Sequence, residues 1–240
     1  MKREDFFLYH IYRTIKLMLR NPILILFSFF IFIFFSLVFH FFGIMFSNVK
    51  SKIEGILLFL MMIICLLSVA SFFMTMMIGY AIDAIKKKNN LKKIFRYSSF
   101  FISNMILLII IIFFSQSIVK LARLISDVSE SFIGNYSNIL GAFFVLLGFL
   151  GFISFFSFCN VFLIGENLSV LMAIKKSFAF VKKNYFSVIL MLFFFLLVSN
   201  FFNQFSSFIE SYLMDLIYWA VLFPISILTL VCFVYKEDDI

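Results

Sequence analysis

Charge is scarce in this 240-residue chain: 13% of its residues are Asp, Glu, Lys or Arg and 64% are hydrophobic. Soluble proteins carry roughly 25% charged and 45–50% apolar residues. That balance excludes a soluble enzyme, a disordered segment and a secreted disulfide scaffold. Cysteine is limited to Cys65, Cys159 and Cys232, an odd number, each inside an apolar run. A thiol there behaves as a small hydrophobe, so no disulfide framework is implied. Histidine is limited to His10 and His40, without a neighbouring Cys or acidic cluster, so neither a metal site nor any other cofactor is expected.

The motifs GxxxxGK[ST], HExxH and GxSxG and a glycine-rich nucleotide fingerprint are all missing. Energy from ATP would therefore have to arrive through a partner. Ionisable groups inside the apolar runs are nearly absent, since Asp83, Glu166 and Asp215 fall near their ends and only His40 lies well inside one. Such groups cost roughly 2.5–3.5 kcal/mol at the bilayer centre and are kept for transport or relay duties. Their scarcity argues against a proton- or sodium-coupled transporter, and against an enzyme whose catalytic groups meet in the membrane.

What the chain has in quantity is apolar length. Crossing about 30 Å of hydrocarbon takes roughly 20 apolar residues, and six such runs occur, at about 22–46, 56–82, 99–119, 138–164, 185–202 and 212–235. The first is too long for a signal-peptide h-region and no A-x-A site follows it, so it reads as an anchor. The 41 Phe are those expected when a base-composition bias chooses among interchangeable apolar residues. The expected fold is thus all-α, a polytopic membrane protein whose residues 1–240 form one integral membrane domain.

Orientation follows from the basic residues: 16 of the 20 Lys and Arg fall in the N-terminus, the second and fourth loops and the C-terminus. The positive-inside rule then places both termini in the cytoplasm. The net charge of +8 is explained by loops facing anionic lipid, where each basic residue is worth about 1 kcal/mol, and nucleic-acid binding is not expected.

Each odd-numbered pass follows a basic amphipathic stretch, giving three hairpins, each with an interfacial elbow helix. In Ile11–Arg20 the cations Arg13, Lys16 and Arg20 share one helical face, and in Leu91–Ser98 the apolar Leu91, Ile94 and Phe95 oppose Lys92, Lys93 and Arg96. In the third, Leu171, Ile174, Phe178, Val181 and Tyr185 form a stripe beside Lys175, Lys176, Lys182 and Lys183. These ten cations are candidate lipid-headgroup contacts. Asn21-Pro22 and Asn184 mark the corners into the following passes, with Asn expected as N-cap, and MLRNPILIL pairs with VKKNYFSVIL as an internal repeat. Lys120–Ile133 reads as a further surface-lying helix on the outer side.

Neutral polar residues remain within the passes: Gln116, Asn160, Asn200 and Asn203. They either line a small polar cavity or form interhelical hydrogen bonds worth about 0.6 kcal/mol on average. Gly141, Gly148 and Gly151 would let a neighbouring helix approach. Pro224 should kink the sixth pass, as a hinge or as a tolerated kink.

The stretch FLIGENLSVLMAIKKSFAFVKKNYFSVIL ends a pass at Glu166-Asn167, continues through a basic elbow and opens the next pass at a Lys-Lys-Asn corner. In this it resembles the membrane domain of glycerophosphoryl diester phosphodiesterases and related uncharacterised bacterial six-pass families. The similarity is strongest over about 162–192. It implies a six-helix inner-membrane protein with surface-lying or re-entering elbows, while the phosphodiesterase domain with its metal-binding acidic and histidine residues has no counterpart in these 240 residues.

The sequence therefore leads to a non-enzymatic membrane-embedded subunit or accessory factor of a transport or envelope complex, bounded by anionic lipid. The alternative is a permease, or the transmembrane subunit of an ATP-driven exporter with a soluble ATPase partner. Replacing Lys175, Lys176, Lys182 and Lys183 together by Gln is expected to move the third elbow away from an anionic membrane. Spin-label depth measurements on Phe178→Cys check this, and an unchanged depth would remove the electrostatic part of the elbow reading.

Overall fold

The computed structural model describes residues 7–86, 91–111, 117, 120, 156–205 and 218–235, and every secondary-structure element among them is helical. In chain order these are α1 (Phe7–Arg20), α2 (Ile23–Ser47), α3 (Lys52–Ile85), a 3-10 segment (Leu91–Phe100), α4 (101–111), α5 (Cys159–Gly165), α6 (Val170–Lys183) and α7 (Tyr185–Phe205). A π-helical turn (Tyr218–Leu222) then leads into α8 (Phe223–Val234). α2 and α3 are long and apolar enough to cross a membrane, and α6 with α7 makes a third candidate if that pair, bent by 99°, counts as one span. Nearly all of the outer helix expected at 120–133, the three glycines at 141, 148 and 151, most of the fourth pass, the last part of the third and the first part of the sixth lie outside the described residues.

Local chemistry explains where the helices start and stop. α3 opens on a capping box: the Glu54 backbone N–H donates to Ser51 Oγ (3.2 Å), and the Glu54 carboxylate accepts from the N–H groups of Ser51 and Lys50. α5 closes with Asn167 at φ 56°, in the left-handed region, and with the Leu168 N–H reaching back to the Leu163 carbonyl at 3.2 Å. That is a Schellman ending with Asn in the place usually taken by Gly.

The corners differ from expectation. Pro22 rather than Asn21 is the residue before α2, and Asn184, whose carbonyl accepts the Val188 N–H at the start of α7, turns its side-chain amide to the helix behind it. The Asn21 amide Nδ2 donates to the Leu17 carbonyl and that of Asn184 to Phe180, both at 3.0 Å, and Asn48 does the same to Ile44 at 3.1 Å. An N-cap needs extended backbone so that its side-chain oxygen can swing over the next turn. Asn184 sits at φ −116°, ψ 24°, and the residue before α2 is Pro22 in the αR region. The amide N–H groups instead add a side-chain donor to carbonyls in the last turn of the preceding helix, and the Phe180 carbonyl also takes the backbone N–H of Asn184. Pro224 likewise brings a local change: the π turn lies directly ahead of it, where a wider turn relieves the clash of the proline ring with the carbonyl four residues earlier.

The core gathers at one end of the bundle. The second half of α3 is buried from Met76 to Ile82, against α5, the last turns of α8, and Leu24 and Phe27 of α2. Four rings lock this end: Phe180 of α6 meets Phe158, the residue before α5, Phe162 of α5 and Phe233 of α8 at centroid distances of 4.9, 5.5 and 5.8 Å. Each such pair is worth about 0.5–1.5 kcal/mol beyond burial. α6 packs inward through the small-residue row Ala173, Ser177 and Val181. Leu171, Phe178 and Tyr185 of the expected stripe stay exposed, as do Ile53, Ile56, Leu57, Leu60 and Met61 of α3. In water such a surface would be a severe liability, and in lipid it is an ordinary one.

The α5 ending carries the first structural test. Asn167→Val should cost about 1–2 kcal/mol, because a β-branched side chain clashes with the backbone in the left-handed region, while Asn167→Gly should be neutral or stabilising. Thermal unfolding in detergent measures both, and equal melting temperatures for the two variants would count against this ending.

Candidate functional site at the polar end of the bundle

α1 presents three faces, and their spacing places each one. His10, Thr14 and Met18, four residues apart, are buried toward α8. His10 Nδ1–H donates to the Cys232 carbonyl at 3.1 Å, across 222 residues of sequence, and its ring lies 4.5 Å from that of Phe233. The Arg13 guanidinium donates to the carbonyls of Cys232 (3.4 Å) and Tyr235 (3.3 Å). Carbonyls at a helix C-terminus have no intrahelical donor and carry partial negative charge, so a cation is a favoured cap. Leu8, Tyr12, Ile15 and Leu19 form an exposed, largely apolar face.

Three tyrosines complete the end. The Tyr80 hydroxyl donates to Asn21 Oδ1 at 3.4 Å, which ties α3 to the corner between α1 and α2. Tyr97, in the 3-10 segment, lies over Gly79, where an added methyl would overlap its ring. Burial, and then the hydrogen bond and charge of Asp83, push the Tyr97 phenol well above its ordinary pKa. At Gly165 an added methyl would overlap the hydroxyl end of Tyr235 and press on Ile82 Cδ1, and the Lys86 ammonium stands 5.0 Å from the Tyr235 ring centroid. Two glycines are thus required by close approach of a tyrosine side chain rather than by a turn.

The third face of α1 borders a cleft of about 360 Å³. Its polar wall is Tyr9, Tyr12, Arg13, Lys16, Arg20 and Asn21, and its floor is apolar, with Leu17, Ala84, Ile85 and Cys232. No carboxylate of the described residues lines it. Among the described residues the one ion pair is elsewhere, between Lys176 and Glu166 across the α5–α6 turn.

The candidate residues read from sequence separate into groups. Arg13, Lys16 and Arg20 come together at the cleft. Arg96, Lys175, Lys182 and Lys183 are exposed, whereas Lys176 is turned to Glu166 and the Phe162 ring. Of the neutral polar set, Asn160 is buried on α5 with its Oδ1 lacking a hydrogen-bond partner among the described residues, and Asn200 is exposed on α7. Gln116 and the side chains of Asn203, Lys92 and Lys93 lie outside the described residues.

Sequence reasoning passed over two groups. One is His10, whose partner is at the far end of the chain. The other is a buried cluster between α3 and α4: Asn104 Nδ2 donates to the Ser71 carbonyl (3.1 Å) and to Thr75 Oγ1 (3.0 Å), and Thr75 Oγ1 donates to the Ser71 carbonyl (2.6 Å). Ser71 Oγ and Asn104 Oδ1 have no partner among the described residues. The four-residue spacing of Ser71 and Thr75 was the available signal.

Among the described residues no three His, Cys, Asp or Glu side chains gather as a metal set would. Compared with protein-family models, curated proteins and solved structures, the chain matches none.

Gly79→Ala and Gly165→Ala should each lower stability by about 1–3 kcal/mol through overpacking, read by thermal unfolding in detergent. The raised Tyr97 pKa has a definite sign: the stability it carries is complete below the ordinary tyrosine value of 10.0 and is lost as pH rises above it. Tyr97→Phe should shrink that alkaline loss, and an unchanged pH profile would sever Tyr97 from it.

Proposed function

We propose that this chain is a non-enzymatic, six-pass membrane protein of the bacterial inner membrane, a membrane-embedded subunit or accessory factor of a transport or envelope complex. On this reading it is related to the membrane domain of glycerophosphoryl diester phosphodiesterases, with three hairpins, basic interfacial elbows and both termini in the cytoplasm. The observation that carries it is the joining of α1 to the end of α8 through His10 and Arg13. This draws the basic N-terminal helix and the ends of α3, α5 and α8 into one polar layer, from which the long apolar α2 and α3 extend. The matched corners at Asn21 and Asn184 fall at equivalent positions of the internal repeat, and the exposed Leu8, Ile15 and Leu19 of α1 suit a helix lying at a lipid boundary.

A second reading, the transmembrane subunit of an ATP-driven exporter, is favoured by the buried oxygens of Ser71, Asn104 and Asn160, which have no partner among the described residues. Polar atoms left open in an apolar interior are costly and need a reason.

Topology and partners can be tested together. In a variant with Cys65, Cys159 and Cys232 replaced by Ala, single cysteines at Asn48, Ser129 and Ser207 should react with a membrane-impermeant maleimide from outside intact cells. Those at Lys88, Lys183 and Asp239 should react only after permeabilisation, and one of them labelled from outside would overturn the six-pass orientation. Purification in mild detergent should recover no stoichiometric ATPase, whose presence would select the exporter reading.

A further inference from the structure

We propose that the cleft beside α1 is a binding site for a phosphate group, with Lys16 and Arg20 as its anion-binding side chains and Arg13 as the residue that positions its wall. Arg13, Lys16 and Arg20 bring three cations to one opening, and no carboxylate of the described chain lines it to neutralise them. Lys16 and Arg20 are exposed, and neither makes an ion pair among the described residues. Arg13 spends part of its fork on the carbonyls of Cys232 and Tyr235, which holds its plane fixed and leaves the remaining N–H donors for an anion.

Size and lining narrow the ligand. A cleft of about 360 Å³ has more room than an inorganic phosphate fills. The apolar floor of Leu17, Ala84, Ile85 and Cys232 suits the carbon skeleton next to a phosphate ester. The tyrosines Tyr9 and Tyr12 at the wall add donors that accept no particular geometry from the ester. The exposed apolar face of α1, through Leu8, Ile15 and Leu19, stands on the same helix, so a ligand with acyl chains could keep them in lipid while its head occupied the cleft. Basic pockets between membrane helices hold anionic headgroups for the same reasons. This assignment rests on the membrane reading for how such a ligand would reach the cleft, but binding itself can be measured without it.

The test uses the full chain in a neutral detergent, titrated with dihexanoyl phosphatidic acid and with inorganic phosphate, with dihexanoyl phosphatidylcholine as control and native mass spectrometry counting what is bound. Phosphatidic acid is expected to bind saturably at one site. The Lys16→Gln/Arg20→Gln variant should weaken it by about tenfold or more, as the loss of charge-assisted bonds requires. The Lys175→Gln/Lys182→Gln variant, which removes the same charge from the exposed face of α6, should stay within about twofold of the parent. Lys16 and Arg20 are chosen because, unlike Arg13, neither caps α8, and an unchanged melting temperature confirms that the variant is folded. Binding of phosphatidic acid alone identifies a lipid headgroup as the source, and competition by inorganic phosphate at comparable concentration identifies a free phosphate. Absence of saturable binding of either probe, equal losses in the two variants, or equal affinity for phosphatidylcholine would each overturn the site. Extraction of the protein from native membranes by alkaline carbonate would overturn the membrane reading alone.

Discussion

The last carbonyls of a helix must find donors from outside it, and in α8 they find them on the first helix of the chain. His10 and Arg13 supply three hydrogen bonds to Cys232 and Tyr235, at a helix end whose dipole already favours positive charge. The placement of α1 at the polar end follows from that closure. It orients α1 so that Met18 enters the core and Leu8, Ile15 and Leu19 face outward, and so that Arg13, Lys16 and Arg20 stand along one opening. It also brings Tyr235 to its seat on Gly165. Without it α1 would have only an amphipathic face, which specifies a surface but no position on it.

The same economy recurs at the corners. Asn21, Asn48 and Asn184 each turn their amide back to the carbonyl four residues earlier, so one residue type both closes a helix and begins the change of direction. Where helix ends meet hydrocarbon or headgroups, water cannot be relied on to satisfy open carbonyls, and a side-chain amide does so at the cost of one short, nearly rigid side chain. In α6 and α7 the corner turns the chain through 99°, with Phe180 anchoring the approach against three other rings.

What could be read from the sequence was whatever is encoded over short distances. The boundaries of α2 and α7 fall within three residues of the runs 22–46 and 185–202, because apolar length is a local signal. The end of a helix at Glu166-Asn167 was legible for the same reason, and Ser51-Lys52-Ile53-Glu54 was a legible capping box that went unremarked. The shared face of Arg13, Lys16 and Arg20 followed from helical spacing, but the cleft did not, since its floor comes from Ala84, Ile85 and Cys232. His10 could not be placed from its neighbours when its partner stands 222 residues away. Asn21 and Asn184 stand at the corners, but their side-chain amides turn to the helix behind, because residue preference at a helix boundary does not say whether the amide serves the helix behind or the helix ahead.

α3 has a mechanical consequence of its own. Between Glu54 and Asp83 it runs 28 residues without a charge, about 42 Å at 1.5 Å per residue, against a hydrocarbon layer of about 30 Å. Tilt alone would have to exceed the usual range of about 0–40° to absorb the excess. The two ends of α3 are not equivalent: its second half is locked into the core while Ile53–Met61 is exposed. A thinner or thicker bilayer would therefore be met by leaning or sliding of the loose end about a fixed base, making α3 a lever whose fulcrum is the tyrosine-bearing layer.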